Sequence, residues 1–125
     1  MTSRHPITIR FTNSGTPAIQ VHCTAEGAAR LAALLRSVPA AGSLHLGDVP
    51  DVEFDGLTSF AWSTELRPFL RRLRDKTPAF EWGGDAEAWE SRAQLLEHLH
   101  EPGHLQYLNY ESIGDAEMSV EVVTT

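Results

Sequence analysis

The chain has 125 residues, of which 42% are hydrophobic and 22% are charged, so it is long enough for one domain with its own core and is not of a disordered composition. Its one cysteine, Cys23, excludes an internal disulfide and a cysteine-only metal site, and no apolar stretch approaches the roughly 18 residues of a membrane-spanning helix. The formal net charge of -7 disfavours nucleic acid as a partner, because that partner requires a basic surface.

The first third of the chain predicts a hairpin followed by a helix. Residues 7–12 and 18–23 alternate apolar and polar side chains, as half-buried strands do. The short turn-forming segment between them favours antiparallel pairing. Thr24 is a suitable N-cap for a helix over residues 25–37, whose leucines recur at helical spacing, and Pro39 is expected to end it.

The middle of the chain gives weaker patterns. Residues 39–62 predict only short extended pieces. Ser63 is then a candidate N-cap, and the spacing of the next apolar residues predicts a second helix over residues 64–74. These apolar residues are Leu66, Phe69, Leu70 and Leu73.

The last third predicts one more helix and a second hairpin. Asp85 caps a helix that is expected to run to about His100, after a short strand at residues 79–82. Alternating residues at 104–110 and 118–122 indicate two further strands. The sequence therefore predicts a single α+β domain over residues 1–125. In it, an antiparallel sheet is built from the N- and C-terminal hairpins and is packed on one face by about three helices.

Catalytic and metal-binding patterns are weak. His98 and His100 are two residues apart, which points them about 200° away from each other on a helix, and His104 lies beyond the helix end. Cys23 is expected to fill the core, because the neighbouring His22 faces the other side of its strand. We therefore predict a protein that is not an enzyme and that needs no metal or other cofactor.

Charge is distributed unevenly along the chain. Residues 1–76 carry seven acids and nine bases, whereas residues 77–125 carry ten acids and one base, Arg92. Such asymmetry favours a charged partner or a solubilising surface. Carboxylates steer a basic protein towards its binding site, and tryptophan and tyrosine are common anchors at interface centres. The predicted partner-binding residues combine these types and are Glu87, Trp89, Glu90, Tyr110, Glu111, Asp115 and Glu117.

Segments near both ends of the chain form an arrangement that is similar to one found in a known group of proteins. A strand–strand–helix start over residues 7–38 is followed, after an insert, by Gly103-His104-Leu105-Gln106-Tyr107-Leu108-Asn109-Tyr110 and by a last strand, Met118-Ser119-Val120-Glu121-Val122. This arrangement resembles small bacterial immunity proteins of polymorphic toxin systems, although Gln106 stands where one such family has a second histidine. The resemblance implies an antidote that binds a cognate toxin and performs no catalysis.

Two other functions are compatible with the sequence. One is a small ligand-binding domain or enzyme whose pocket lies between sheet and helices and is lined by Tyr107, Trp62 and a histidine. The other is a homo-oligomeric module, such as a homodimer, that pairs through an edge strand. Because Met1 to Pro6 open no apolar segment, we expect no secretory signal and a soluble, cytoplasmic protein.

Overall fold

The chain forms an α+β structure with two sheets and two helices. The computed structural model describes residues 7–12, 18–72, 79–97, 99, 103, 105–108 and 119–124. The strands in these ranges are β1 (Ile7–Thr12), β2 (Ala18–Cys23), β3 (Ser43–His45), β4 (Val52–Asp55), β5 (Ser59–Thr64), β6 (Phe69–Arg72), β7 (Ala79–Gly84), β8 (Leu105–Tyr107) and β9 (Ser119–Thr124). The helices are α1 (Ala25–Ala41) and α2 (Ala86–Leu96), and a 3-10 turn covers Leu46–Asp48.

The first sheet has five strands in the order β4-β1-β2-β9-β8. The predicted N-terminal hairpin is confirmed, since β1 and β2 pair antiparallel, and β8 and β9 also pair antiparallel. The prediction of a purely antiparallel sheet was wrong. The two hairpins join through β2 and β9, which run in the same direction, and β4 pairs parallel to β1. The sheet is therefore mixed.

The second sheet has four strands in the order β3-β5-β7-β6. Here the prediction of a helix over residues 64–74 was wrong, because residues 59–64 form β5 and residues 69–72 form β6. Leu70 is buried opposite Trp82 of β7, and the half-buried Phe69 pairs with Gly83. The apolar residues whose spacing suggested a helix lie instead on a short strand, because pairing with β7 outweighs the local preference for a helix.

Two helices, rather than about three, accompany the sheets in the described residues. The Thr24 side chain accepts a hydrogen bond from Gly27 N at 3.0 Å, which confirms the predicted N-cap of α1. Pro39 lies inside the last turn of α1 and does not end it. The helix ends instead at Gly42, whose φ of 84° suits glycine and whose N–H donates to Val38 O at 2.7 Å. Asp85 caps α2, which ends at Leu96, before the predicted His100.

One hydrophobic core includes buried residues of both sheets and both helices. The rings of Phe11 and Phe80 lie 5.0 Å apart and join the inner faces of the two sheets. Neither helix of the described chain has the length and hydropathy needed to cross a membrane.

The centre of this core is aromatic. Four rings from β5, β7 and α2 contact one another with centroids 5.1 to 5.9 Å apart, and they belong to Phe60, Trp62, Trp82 and Trp89. The guanidinium carbon of Arg92 lies 4.3 Å from the centroid of the Trp82 ring, and Arg92 Nη2 donates to Gly83 O at 2.9 Å. Rings in edge and stacked contact add to the stability that burial alone provides.

Candidate binding face

The outer face of the five-stranded sheet carries two rows of side chains that cross every strand. Because side chains alternate along a strand, residues in register on neighbouring strands point to the same side. The pairing of β4, β1, β2, β9 and β8 aligns one such row, which is Asp55, Arg10, Gln20, Glu121 and Tyr107. The adjacent row is Glu53, Thr8, His22, Val123 and Leu105.

We call these ten residues the open face. They are exposed or half-buried, whereas their neighbours along β1 and β2 face the core, as Ile9 and Val21 do at 0% and 1% exposure. The strand pairing that builds the hydrophobic core therefore also fixes the positions of the outward side chains. A partner would meet a preformed surface.

The charge of the open face is acidic. It carries three carboxylates, those of Glu53, Asp55 and Glu121, against the single guanidinium of Arg10. Arg10 Nε donates to Asp55 at 2.9 Å, and Gln20 Nε2 donates to Glu121 at 3.4 Å. Among the described residues, Glu53 has no ion-pair partner. An exposed ion pair such as Arg10–Asp55 adds little stability, but the summed field of the face remains negative.

Apolar side chains occupy the opposite edge of the open face. Tyr107 and Leu105 on the edge strand β8 are 51% and 50% exposed, which is high for large hydrophobic residues. Val123 of β9 is half-buried and pairs with Leu105. The face thus combines carboxylates with an exposed aromatic ring, the combination that the sequence predicted for a binding site, but at other residues.

Trp89 is not an interface anchor. Its side chain is 0% exposed, and its Nε1 donates to Ser63 O at 3.1 Å. The sequence predicted Trp89 as a partner-binding residue, and the structure places it instead in the aromatic centre of the core. Its large ring is needed there to fill the space between α2 and the second sheet.

Glu87 and Glu90 belong to α2, which packs against α1 and β7 and forms no part of the open face. Glu87 is exposed. Glu90 accepts hydrogen bonds from Arg36 of α1, whose Nη2 is 3.1 Å from one Glu90 oxygen and 3.0 Å from a Glu97 oxygen. The hydrogen bond from the Arg36 guanidinium lowers the pKa of Glu90 below its usual value. Arg36, which belongs to the more basic first part of the sequence, thus offsets part of the negative charge of residues 77–125.

The other predicted site residues lie outside the described residues. They are Tyr110, Glu111, Asp115 and Glu117. His98, His100 and His104 lie outside them as well, and within the described ranges no group of three histidine, cysteine or acidic residues could hold a metal ion. Cys23 is buried, as predicted, and burial raises the pKa of its thiol to about 11.

The structure does not bring together the pocket residues of the ligand-binding alternative. Trp62 is 1% exposed at the centre of the core and belongs to β5 of the four-stranded sheet. Tyr107 points outward from β8 at the edge of the other sheet. The two side chains therefore cannot line one cavity.

Glu53 and Asp55 were not predicted from the sequence as site residues. The alternation of Val52-Glu53-Phe54-Asp55 is visible in the sequence and marks both acids as outward-facing on a strand. Their place beside Arg10 depends on the parallel pairing of β4 with β1, which alternation alone does not predict.

Comparison with known proteins gives no family for this chain. No family model matches it, and no curated protein or solved structure matches it. A function is therefore inferred from the open face itself.

Proposed function

We propose that this protein is a non-enzymatic binding protein whose open face captures a positively charged protein partner. The observation that carries the proposal is the pair of rows across five strands, in which three carboxylates share a surface with the exposed Tyr107 and Leu105. Carboxylates accelerate the encounter with a basic protein, and a tyrosine supplies large contact area at low entropic cost.

A cognate toxin is the kind of partner that fits this surface best. A toxin that cleaves nucleic acid must itself be basic where it holds its substrate. An acidic face with apolar anchors can cover such a surface and block it. The resemblance of the chain ends to immunity proteins supports the same conclusion.

A second copy of the chain fits the open face less well. In a twofold dimer the same patch lies on both subunits, so two acidic faces would meet. The carboxylates of Glu53 and Glu121 would then add like charges at the interface, which is destabilising.

Charge reversal on the open face should slow complex formation. We expect the double variant Glu53→Lys/Glu121→Lys to associate about tenfold more slowly with the basic partner and to show a weaker dependence on salt. The measurement is stopped-flow association with the purified product of each reading frame that adjoins the gene for this chain.

The matched control for this experiment is Glu26→Lys/Glu87→Lys. It makes the same change in net charge at exposed positions in the first turns of α1 and α2. Circular dichroism verifies that each variant is folded. Unaltered association of the Glu53→Lys/Glu121→Lys variant, or an equal loss in the control, would contradict the proposed face, and absence of any complex with these products would contradict the antidote function.

A further inference from the structure

We infer that the partner is a folded protein that contacts the open face at two chemically different points, a basic group at the β4 edge and an apolar group at the β8 edge. This inference rests on the proposed function and specifies how the face is used. It follows from the asymmetry of the rows. Both begin at β4 with a carboxylate, Asp55 or Glu53, and both end at β8 with a large apolar side chain, Tyr107 or Leu105.

The separation of the two edges limits the kind of partner. Neighbouring strands lie about 4.8 Å apart, so the four spacings from β4 to β8 amount to about 19 Å. One side chain or a small metabolite cannot reach both edges. An extended peptide that lies along a single strand contacts one edge only. A partner that contacts both edges must span the strands over about 19 Å, as a helix or a broad surface of a folded protein does.

The centre of the face is polar, and its two charged groups, Arg10 and Glu121, already have partners within the face. Arg10 donates to Asp55, and the Gln20 side chain contacts both Glu121 and His22, with Gln20 Oε1 lying 3.2 Å from His22 Nε2. These groups satisfy one another within the face and therefore offer a partner fewer new hydrogen bonds than the edges do. The strongest new contacts should form at the row ends that carry Glu53, Tyr107 and Leu105, since the fourth end residue, Asp55, is already paired with Arg10.

Side chains at the two edges should affect different rate constants of binding. Unlike Asp55, the Glu53 carboxylate forms no ion pair with a described residue and projects from an edge strand, so its main effect is on long-range attraction and the association rate. Tyr107 acts only after contact, by burying a ring that is 51% exposed in the free protein, so its main effect is on the dissociation rate.

The experiment measures the binding of two single variants to the same partner, the product of the reading frame that adjoins the gene. Association and dissociation rates are recorded with the partner immobilised on a surface, at about 50 and about 200 mM NaCl. We expect Glu53→Lys to slow association several-fold at low salt and to leave dissociation unchanged. We expect Tyr107→Ala to accelerate dissociation about tenfold at both salt concentrations. Glu26→Lys is the control for charge, and Leu66→Ala is the control for loss of an apolar side chain, since Leu66 is 94% exposed and lies outside the open face.

The outcomes separate this inference from the proposed function. If the native protein binds and Glu53→Lys slows association while Tyr107→Ala has no effect, the face is acidic and functional but the two-point contact is wrong. The two-point contact is also wrong if both variants change the same rate constant. If neither variant differs from its control, the proposed function fails together with the inference.

Discussion

Replacing Trp82 with alanine is expected to lower the free energy of unfolding by about 3–5 kcal/mol. Trp82 is 1% exposed and contacts the rings of Phe60, Trp62 and Trp89, while Arg92 lies over its face. Truncation removes these contacts and leaves a cavity that the paired strands β5 and β6 on either side cannot fill by collapsing. The loss should be among the largest of any single substitution in the chain.

Urea unfolding followed by circular dichroism measures this loss. Leu66→Ala is the matched control, because it also truncates a large apolar side chain but at a position that is 94% exposed. It should change the free energy of unfolding by no more than about 0.5 kcal/mol. A Trp82→Ala variant as stable as the Leu66→Ala variant would show that the aromatic cluster is not the centre of the core.

A methyl group at Gly84 is expected to destabilise the protein by about 1–3 kcal/mol. A Cβ at this position would lie 2.9 Å from the Cβ of Ala88 and 3.2 Å from Nη1 of Arg92. Ala88 has no rotamer through which it can move away, so the first turn of α2 would have to shift from β7. That shift would also disturb Glu65 N–H, which donates to Gly84 O at 2.8 Å.

A double-mutant cycle isolates this contact. The substitution Gly84→Ala should cost clearly less in an Ala88→Gly background than in the native chain, because the opposing methyl group is absent. Gly47→Ala is the comparison at an exposed glycine, where a Cβ would lie 3.3 Å from a carbon of the Phe54 ring, which can move. Equal costs of Gly84→Ala in the two backgrounds would show that the close approach of α2 to β7 does not limit stability.

Features of the fold that depend only on residues close together in the sequence could be predicted from it. The alternation of residues 7–12 and 18–23 and the short turn between them identified the first hairpin. Thr24 and Asp85 were identified as N-caps because a side-chain oxygen precedes an apolar periodic segment, whereas Ser63 gave the same signal and lies in β5, which is followed by β6 rather than by a helix. These signals act over a few residues and do not depend on the rest of the fold.

Features that depend on long-range pairing could not be predicted in this way. Leu66, Phe69 and Leu70 have helical spacing, yet the pairing of Phe69 and Leu70 with β7 places them in a strand, and Leu66 is left in the preceding loop. Likewise, the acids of the open face come from β4 and β9, which are far apart in sequence and meet only through the order of strands. The sequence predicted a binding site made of acids and aromatic residues, but none of the ten residues of the open face is among the partner-binding residues that it predicted.

Carboxyl labelling of the complex tests most directly whether the open face is the binding site. A water-soluble carbodiimide with an amine label modifies exposed acids, and mass spectrometry reports the extent at each residue. The account predicts that binding of the adjoining-frame product lowers labelling of Glu53 and Glu121 several-fold and leaves Glu26 and Glu87 on the helices unchanged. Lowered labelling of Glu26 and Glu87 with unchanged Glu53 and Glu121 would place the partner on the helices and contradict the account.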